Sequence, residues 1–435
     1  MADEYRVPGE KDLERNRLLC ITEGASARTI FNLTTGAFLV GLLKAMGADD
    51  TVCGYIVPLP VLAAGIQFLS PITLESLKFR KKIILAGSLI HRLLLSSLII
   101  IPFLPLGTAL KLWLTAGIFL VSHLAVSFIT PAASNMYISF VPQNIRGKYF
   151  GTREAYLLIT STVFTLALGK ILDLFEEGGN ELGGYIAVYA AVFALTVANV
   201  VSIAKMKEVP LQHNKDRMKI SEVFSLPLKN RLFVRYFIMS VIWNIAIQIA
   251  SAYFSVYLVS DLDMSYTTIT LLGLLNAVVY IIAARIWGRF ADKHGWTATT
   301  MACFTILAVC HTIWFLSFRE SPILLVLLVL AYVTGGAAWS GINISLFNLQ
   351  FDFTPEEKRM VYIGFNAAVS GLVGYGAAAV GSQLVGAFGE TDLTAAGLTI
   401  DIKQVLFIIS AILIFVCTAY ISIFLRKRKQ DVQGG

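Results

Sequence analysis

VPQNIRGKYFG at residues 141–151 and TPEEKRMVYIG at residues 354–364 are one pattern written twice, 213 residues apart. Pro142, Arg146, Tyr149 and Gly151 recur as Pro355, Arg359, Tyr362 and Gly364. Each copy lies between a long apolar run, ending near Asn135 or Asn348, and another that starts near Gly151 or Gly364. Self-similarity at a fixed offset marks an internal duplication, and parallel halves built from apolar runs are an architecture of membrane transport.

Composition points to the same solvent. Of 435 residues 56% are hydrophobic and 14% charged, and the mean hydropathy is +0.72. That leaves too few polar side chains to solvate a globular surface of this size, so a lipid bilayer is the expected surrounding. The formal charge of +7 does not indicate nucleic acid, because the basic residues lie in short segments between apolar runs with no aromatic-interleaved basic domain. Five cysteines, Cys20, Cys53, Cys303, Cys310 and Cys417, lie in or beside apolar runs and form no CxxC. They read as packing residues, neither a disulfide framework nor a metal site.

Windows of about 20 residues define twelve spans: 18–46, 52–74, 83–104, 109–133, 152–174, 183–204, 233–259, 266–289, 297–318, 322–348, 361–388 and 404–425. Ala25-Ser26-Ala27 resembles a signal-cleavage site, but only Leu18 to Thr22 separates it from the charged flank, too short for a signal core. With the N-terminus inside, 27 of the 35 Lys and Arg fall in cytoplasmic segments, whereas the outer loops hold four, Lys44, Lys111, Arg319 and Lys403. The bias predicts cytoplasmic termini in a multi-pass protein of the cell membrane. The expected organisation is a tail at 1–17, a six-helix half at 18–206, a linker at 207–231 marked by Pro210 and Pro227, a second half at 232–425, and a tail at 426–435.

Residues 288–296 read GRFADKHGW. Gly288, Asp292, Lys293 and Gly295 resemble the G-x-x-x-D-(R/K)-x-G loop motif of the major facilitator superfamily, in its expected loop after span 8. The resemblance covers the chain from Arg17 to Lys429. It implies an all-α polytopic fold of twelve transmembrane helices in two pseudo-symmetric six-helix halves, with this loop latching the halves on the cytoplasmic side. The first-half counterpart, PITLESLKFRKK at 71–82, keeps Glu75 and a basic cluster. It departs elsewhere, with Pro71 and Lys78 where glycines are expected and Ser76 where a base is. The repeats at 142–151 and 355–364, carrying Arg146 and Arg359, resemble the loops after the fourth and tenth spans and join the latch set.

Helical spacing nominates a substrate site independently. Gly24, Arg28, Asn32 and Thr35 share a face of span 1, and His123, Ser127, Thr130 and Ser134 a face of span 4. Ser240, Asn244, Gln248, Ser251 and Ser255 form a stripe on span 7, and Gly336, Ser340 and Asn343 one on span 10, beside Trp339. Polar stripes facing lipid are costly, and the resemblance implies that these four spans line a central cavity; packing between helices is the other use of such stripes. Arg28 lies about 15 Å into its span, where it needs water, a carboxylate or a solute. The candidate solute contacts are Arg28, Asn32, His123, Ser127, Asn244, Gln248, Trp339 and Asn343. Glu23 and His123 are candidates for proton coupling. Arg92 and His91 are equally deep, but the resemblance places span 3 at the periphery and implies a structural role for Arg92.

These features favour a secondary transporter that moves a small polar or anionic organic solute by alternating access, as a monomer, with protons or another ion as the coupling partner. Proton-coupled drug efflux and lipid export use the same scaffold; a membrane scaffold or receptor is the alternative of another class. No HExxH, GxSxG, P-loop or paired intramembrane acids occur, so neither an enzyme nor a cofactor is expected.

Overall fold

The structure is a computed structural model that describes residues 9–74, 77, 79–209, 220–355, 359–389, 393–395 and 398–425. Sixteen helices are described among these residues. They are α1 (Glu10–Thr34), α2 (Gly36–Ala45), α3 (Asp50–Ile56), α4 (Leu59–Ala64), α5 (Leu69–Leu74), α6 (Lys81–Ser97), α7 (Thr108–Ser139) and α8 (Arg146–Glu177). Then follow α9 (Glu181–Lys205), α10 (Ile220–Lys229), α11 (Arg231–Gln248), α12 (Tyr253–Val256), α13 (Tyr266–Phe315), α14 (Leu324–Asp352), α15 (Arg359–Phe388) and α16 (Ile402–Tyr420). A short antiparallel pair, β1 (Leu393–Ala395) and β2 (Leu398–Ile400), precedes α16.

Ten helical stretches among the described residues are long and apolar enough to cross a membrane, and all twelve sequence spans are found as helix. The difference has two local causes. Span 1 is divided between α1 and α2: Thr35 is extended and Gly36 takes φ 56°, a backbone that favours glycine. Just before the break Thr34 and Thr35 donate their hydroxyls to the carbonyls of Ile30 and Phe31, back-bonding that bends helices. Spans 8 and 9 run together as α13, broken only at Gly295 with φ 81°. The motif glycine is therefore the whole turn. Large apolar side chains such as Trp113, 76% exposed, and Ile286, 62%, cover the outer surface, as a lipid solvent requires.

Packing divides the chain into two compact units, unit 1 (Met1–Asp49, Ala63–Ile220, Ser265–Thr267) and unit 2 (Asp50–Leu62, Ser221–Met264, Thr268–Gly435). Within unit 1, α1 packs along α8 and α9; within unit 2, α11 packs along α15 and α16, which is the same arrangement of first, fifth and sixth spans. The repeated sequence pattern has the same local use in both. Arg146 is the first residue of α8 and Arg359 the first of α15. Tyr149 donates its hydroxyl to the Arg17 carbonyl of α1 at 2.7 Å, and Tyr362 sets its ring edge-on to Phe233 of α11, 4.9 Å between centroids.

The core of unit 1 joins Cys20, Ile84, Ile129, Met136, Phe140 and Ile203 from α1, α6, α7 and α9. Buried Asn16 exchanges two hydrogen bonds with the Lys207 main chain, and Glu208 accepts from the Arg80 and Lys81 amides, capping α6. In unit 1 the first turn of α13 is also held: Asp173 accepts from the Tyr266 and Thr267 amides at 2.7 and 3.0 Å. In unit 2, Lys403, whose side chain is 5% exposed, meets Asp50 at 2.5 Å, Asp261 at 2.7 Å and Asp401 at 3.5 Å. The sequence reading counted this lysine as a loop charge; it is a buried ion in a cage of carboxylates. The five cysteines are buried and free. Residues 210–219 of the expected linker and the tail from 426 lie outside the described residues, while α10 and an α1 that begins at Glu10 extend helix into segments read as linker and tail.

Candidate functional site

Unit 1 holds a partly open cavity of about 700 Å³, within the size range of small-molecule sites. Four helices line it, each at helical spacing: Glu23, Gly24, Ala27 and Arg28 on α1; Ser88, His91 and Arg92 on α6; His123, Thr130, Ser134 and Tyr137 on α7; Phe150, Arg153 and Leu157 on α8. Recurrence at three and four residues puts these side chains on single faces. Gly24 has a steric reason: a Cβ there would lie 2.3 Å from Arg153 Nη2, so the glycine makes room for the guanidinium between α1 and α8.

The charges are arranged in direct pairs with one exception, Arg92, which Glu23 attracts without an ion-pair contact. Arg28 Nη1 meets Glu154 Oε2 at 2.9 Å, with the two side chains 39% and 58% exposed. Arg153 Nη2 lies 3.6 Å from Glu23 Oε2, both largely buried, and Arg153 Nη1 lies 3.6 Å from Glu154. Its Nε donates to the Cys20 carbonyl at 3.2 Å. Asn199 donates to the Glu23 carbonyl and to Oε1, at 2.9 and 3.4 Å. Arg92 is 7% exposed, and its Nε is buried without a hydrogen-bond partner among the described residues.

Two imidazoles share the wall. His123 Nδ1 lies 2.9 Å from the Phe119 carbonyl, which can only accept, so the ring proton is on Nδ1. His91 Nδ1 lies 2.7 Å from Ser122 Oγ and 3.0 Å from its carbonyl, while Ser122 Oγ donates to the His91 carbonyl. Here too the proton sits on Nδ1. The rings meet edge to face, 5.2 Å apart.

Of the residues nominated from sequence, Arg28, Glu23 and His123 line the cavity, with Thr130 and Ser134 of the span 4 stripe. Asn32 and Ser127 are not on its wall; Ser127 is buried and Asn32 half-buried. The other four belong to unit 2. There Asn244 donates to the Ser240 carbonyl, Gln248 is half-buried, Trp339 packs edge-on to Trp243, and Asn343 donates to Tyr280 Oη at 3.2 Å. Of the latch set, Asp292 and Lys293 are exposed, Arg146 donates to the Val141 carbonyl at 3.3 Å, Glu75 lies outside the described residues, and so does the side chain of Arg359.

The sequence reading named Arg92 and His91 as deep but kept them out of the candidate contacts, and it did not single out Arg153 or Glu154 for the cavity. Arg153 had been counted as a loop charge, but α8 starts at Arg146 and places it two turns inside the helix. The signal for Arg92 was present, since Ser88, Arg92 and Ser96 share a face; the expected peripheral position of span 3 argued against using it.

The Major Facilitator Superfamily profile matches residues 24–379 and 248–434. The chain belongs to this superfamily. Over 177 residues it is 27% identical to an uncharacterized MFS-type transporter of Methanocaldococcus jannaschii, a match spanning 39% of this chain and 43% of that relative; the chain thus aligns to less than half of its length. Among solved structures, an auto-inhibited POT family peptide transporter superposes with a TM-score of 0.71 at 10% identity, covering 95% of this chain and 97% of the other. The D-xylose-proton symporter gives 0.68 at 13%, covering 95% and 97%. Nucleoside transporter NupG gives 0.63 at 15%, covering 94% and 98%. At these identities the likeness shows the superfamily fold, a multi-pass helical membrane protein.

Proposed function

We propose that this superfamily member is a secondary transporter that carries a small polar or anionic organic solute by alternating access, and that the unit 1 cavity holds the solute. The observation that carries the reading is the set of three arginines, Arg28, Arg92 and Arg153, around a cavity of about 700 Å³ in helices that cross the membrane. An arginine at such depth costs at least about 2.5 to 3.5 kcal/mol and is retained where it meets water, a carboxylate or a solute. Arg28 is a solute contact in this reading: its pair with Glu154 is exposed enough to be worth only about 0 to 1 kcal/mol, so a polar group of the solute can take a charge-assisted hydrogen bond from the guanidinium beside the carboxylate. His123 completes the wall, and Glu23 and His123 are the candidates for coupling to protons. The same fold in the solved relatives belongs to proteins described as nucleoside, xylose-proton and peptide transporters, which supports transport as the activity.

In this reading the protein lies in the cell membrane with both termini cytoplasmic, and the Lys and Arg distribution supports that orientation. The turn from Gly288 through Asp292 and Lys293 to Gly295 is proposed to control the transport cycle. The test is uptake of labelled anionic, neutral and cationic solutes into proteoliposomes, with and without a pH gradient. Faster entry of one solute class than into protein-free liposomes, lost in Arg28→Ala, is the expected result. Failure of monodisperse, reconstituted protein to move any of the classes refutes the reading.

A further inference from the structure

We propose that Arg92 is the anion anchor of the cavity and that its solute is a hydroxylated organic monoanion, with the negative group on Arg92 and hydroxyls donated to Nε2 of His91 and His123. The inference rests on the cavity being the solute site and names the chemistry it selects.

Charge balance comes first. Three guanidiniums, Arg28, Arg92 and Arg153, face two carboxylates, Glu23 and Glu154, which leaves one positive charge. Geometry assigns it to Arg92. Arg28 and Arg153 each have a carboxylate oxygen at 2.9 or 3.6 Å, whereas no ion pair or side-chain hydrogen bond of Arg92 is found among the described residues, and its buried Nε lacks an acceptor. Glu23 attracts Arg92 without touching it and already meets Arg153 and Asn199, so a bound carboxylate-type group supplies the direct charge-assisted, planar pairing that Arg92 lacks. One unmatched charge calls for one negative charge on the solute. A second would have to compete with Glu154 for Arg28.

Hydrogen-bond polarity supplies the other half. Both imidazoles commit Nδ1–H to the protein, so in the uncharged ring Nε2 is an acceptor. No hydrogen bond to either Nε2 is found among the described residues, and both rings line the cavity. They call for donors on the solute. An ammonium group would be repelled by Arg92, which leaves neutral donors, hydroxyls foremost.

The experiment uses the full-length purified protein in detergent and four probes: gluconate, the hydroxylated monoanion; hexanoate, an anion without hydroxyls; sorbitol, hydroxyls without charge; and glucarate, the dianion. Binding is read by titration calorimetry and by the unfolding midpoint. Gluconate is expected to bind the wild type about ten- to hundredfold more tightly than sorbitol or hexanoate, the loss expected for one charge-assisted contact, and more tightly than glucarate. Arg92→Gln should lose that same factor for gluconate, Arg92→Lys should recover part of it, and His123→Phe should bring gluconate and hexanoate together. Variants are compared only as monodisperse protein, and the four-probe ranking in the wild type needs no variant. Sorbitol binding as tightly as gluconate, no gluconate binding to the wild type, or undiminished binding to Arg92→Gln overturns the inference. Uptake of another solute that depends on Arg28 and not on Arg92 would sink this inference alone; absence of uptake for every solute class would sink the transport reading beneath it.

Discussion

Replacing Lys403 with methionine removes one buried ammonium and leaves three carboxylates facing each other. In the folded protein Nζ lies 2.5, 2.7 and 3.5 Å from oxygens of Asp50, Asp261 and Asp401, whose side chains are 22%, 23% and 30% exposed. Asp261 Oδ2 is buried and has no hydrogen-bond partner among the described residues, so Lys403 is its main compensation. Removing one member of a buried pair costs about 3 to 5 kcal/mol, and the partial exposure of the three acids sets the expectation at the lower end, about 3 kcal/mol. Methionine keeps an unbranched stem one atom shorter, so the loss reports mainly the charge. Unfolding free energies in mixed micelles, followed by tryptophan fluorescence, give the magnitude. The double variant Lys403→Met with Asp261→Asn should recover about 1 to 2 kcal/mol of it, because two acids repel less than three; a double-mutant cycle isolates that coupling. A loss below about 1 kcal/mol, or no recovery in the double variant, would refute the cage as a stabilising element.

Four further outcomes are expected. Arg28→Ala should weaken solute binding about ten- to hundredfold with little loss of stability, and Arg28→Lys should restore only part, since lysine lacks the planar fork; normal binding by Arg28→Ala makes the residue structural. Gly381→Ala would put a Cβ 2.2 Å from the Ile249 carbonyl oxygen, a backbone atom that cannot swing away. The unfolding free energy should drop by about 1 to 3 kcal/mol, and an unchanged value would mean that the close approach of these helices is not held. Single cysteines at Lys229 and Glu320, both exposed, should label only from the inner and only from the outer face of intact cells, with low background because the native thiols are buried; labelling of Lys229→Cys from outside overturns the orientation. Asp292→Asn should slow transport more than Glu75→Gln at matched protein levels, and equal effects would mean the motif match names the wrong loop.

The duplication, the membrane solvent and the twelve apolar spans were all legible in the chain, because each depends on residue type at a fixed spacing. Gly295 was legible for the same reason: a turn with φ 81° selects glycine, and the motif marked the position. The break at Gly36 was not, since it lies in two residues, an extended Thr35 and a left-handed Gly36, which a hydropathy window averages away. Arg28, Glu23 and His123 were found on the cavity wall because a charged or polar residue deep in an apolar span is anomalous wherever the helix points.

Periodicity names the face of a helix and not what stands opposite. That Arg28 pairs with Glu154, 126 residues away, that Arg153 lies against Glu23 and not in a loop, and that Arg92 is attracted by Glu23 without touching it are facts about which helices pack together. The same holds for Lys403, a surface charge by position in the chain and a buried ion by packing, because the three acids around it come from residues 50, 261 and 401. Composition and spacing decide that a residue must be paired; only the packed helices decide with whom, since the interaction falls off over a few ångströms and the chain separation that precedes it carries no such information.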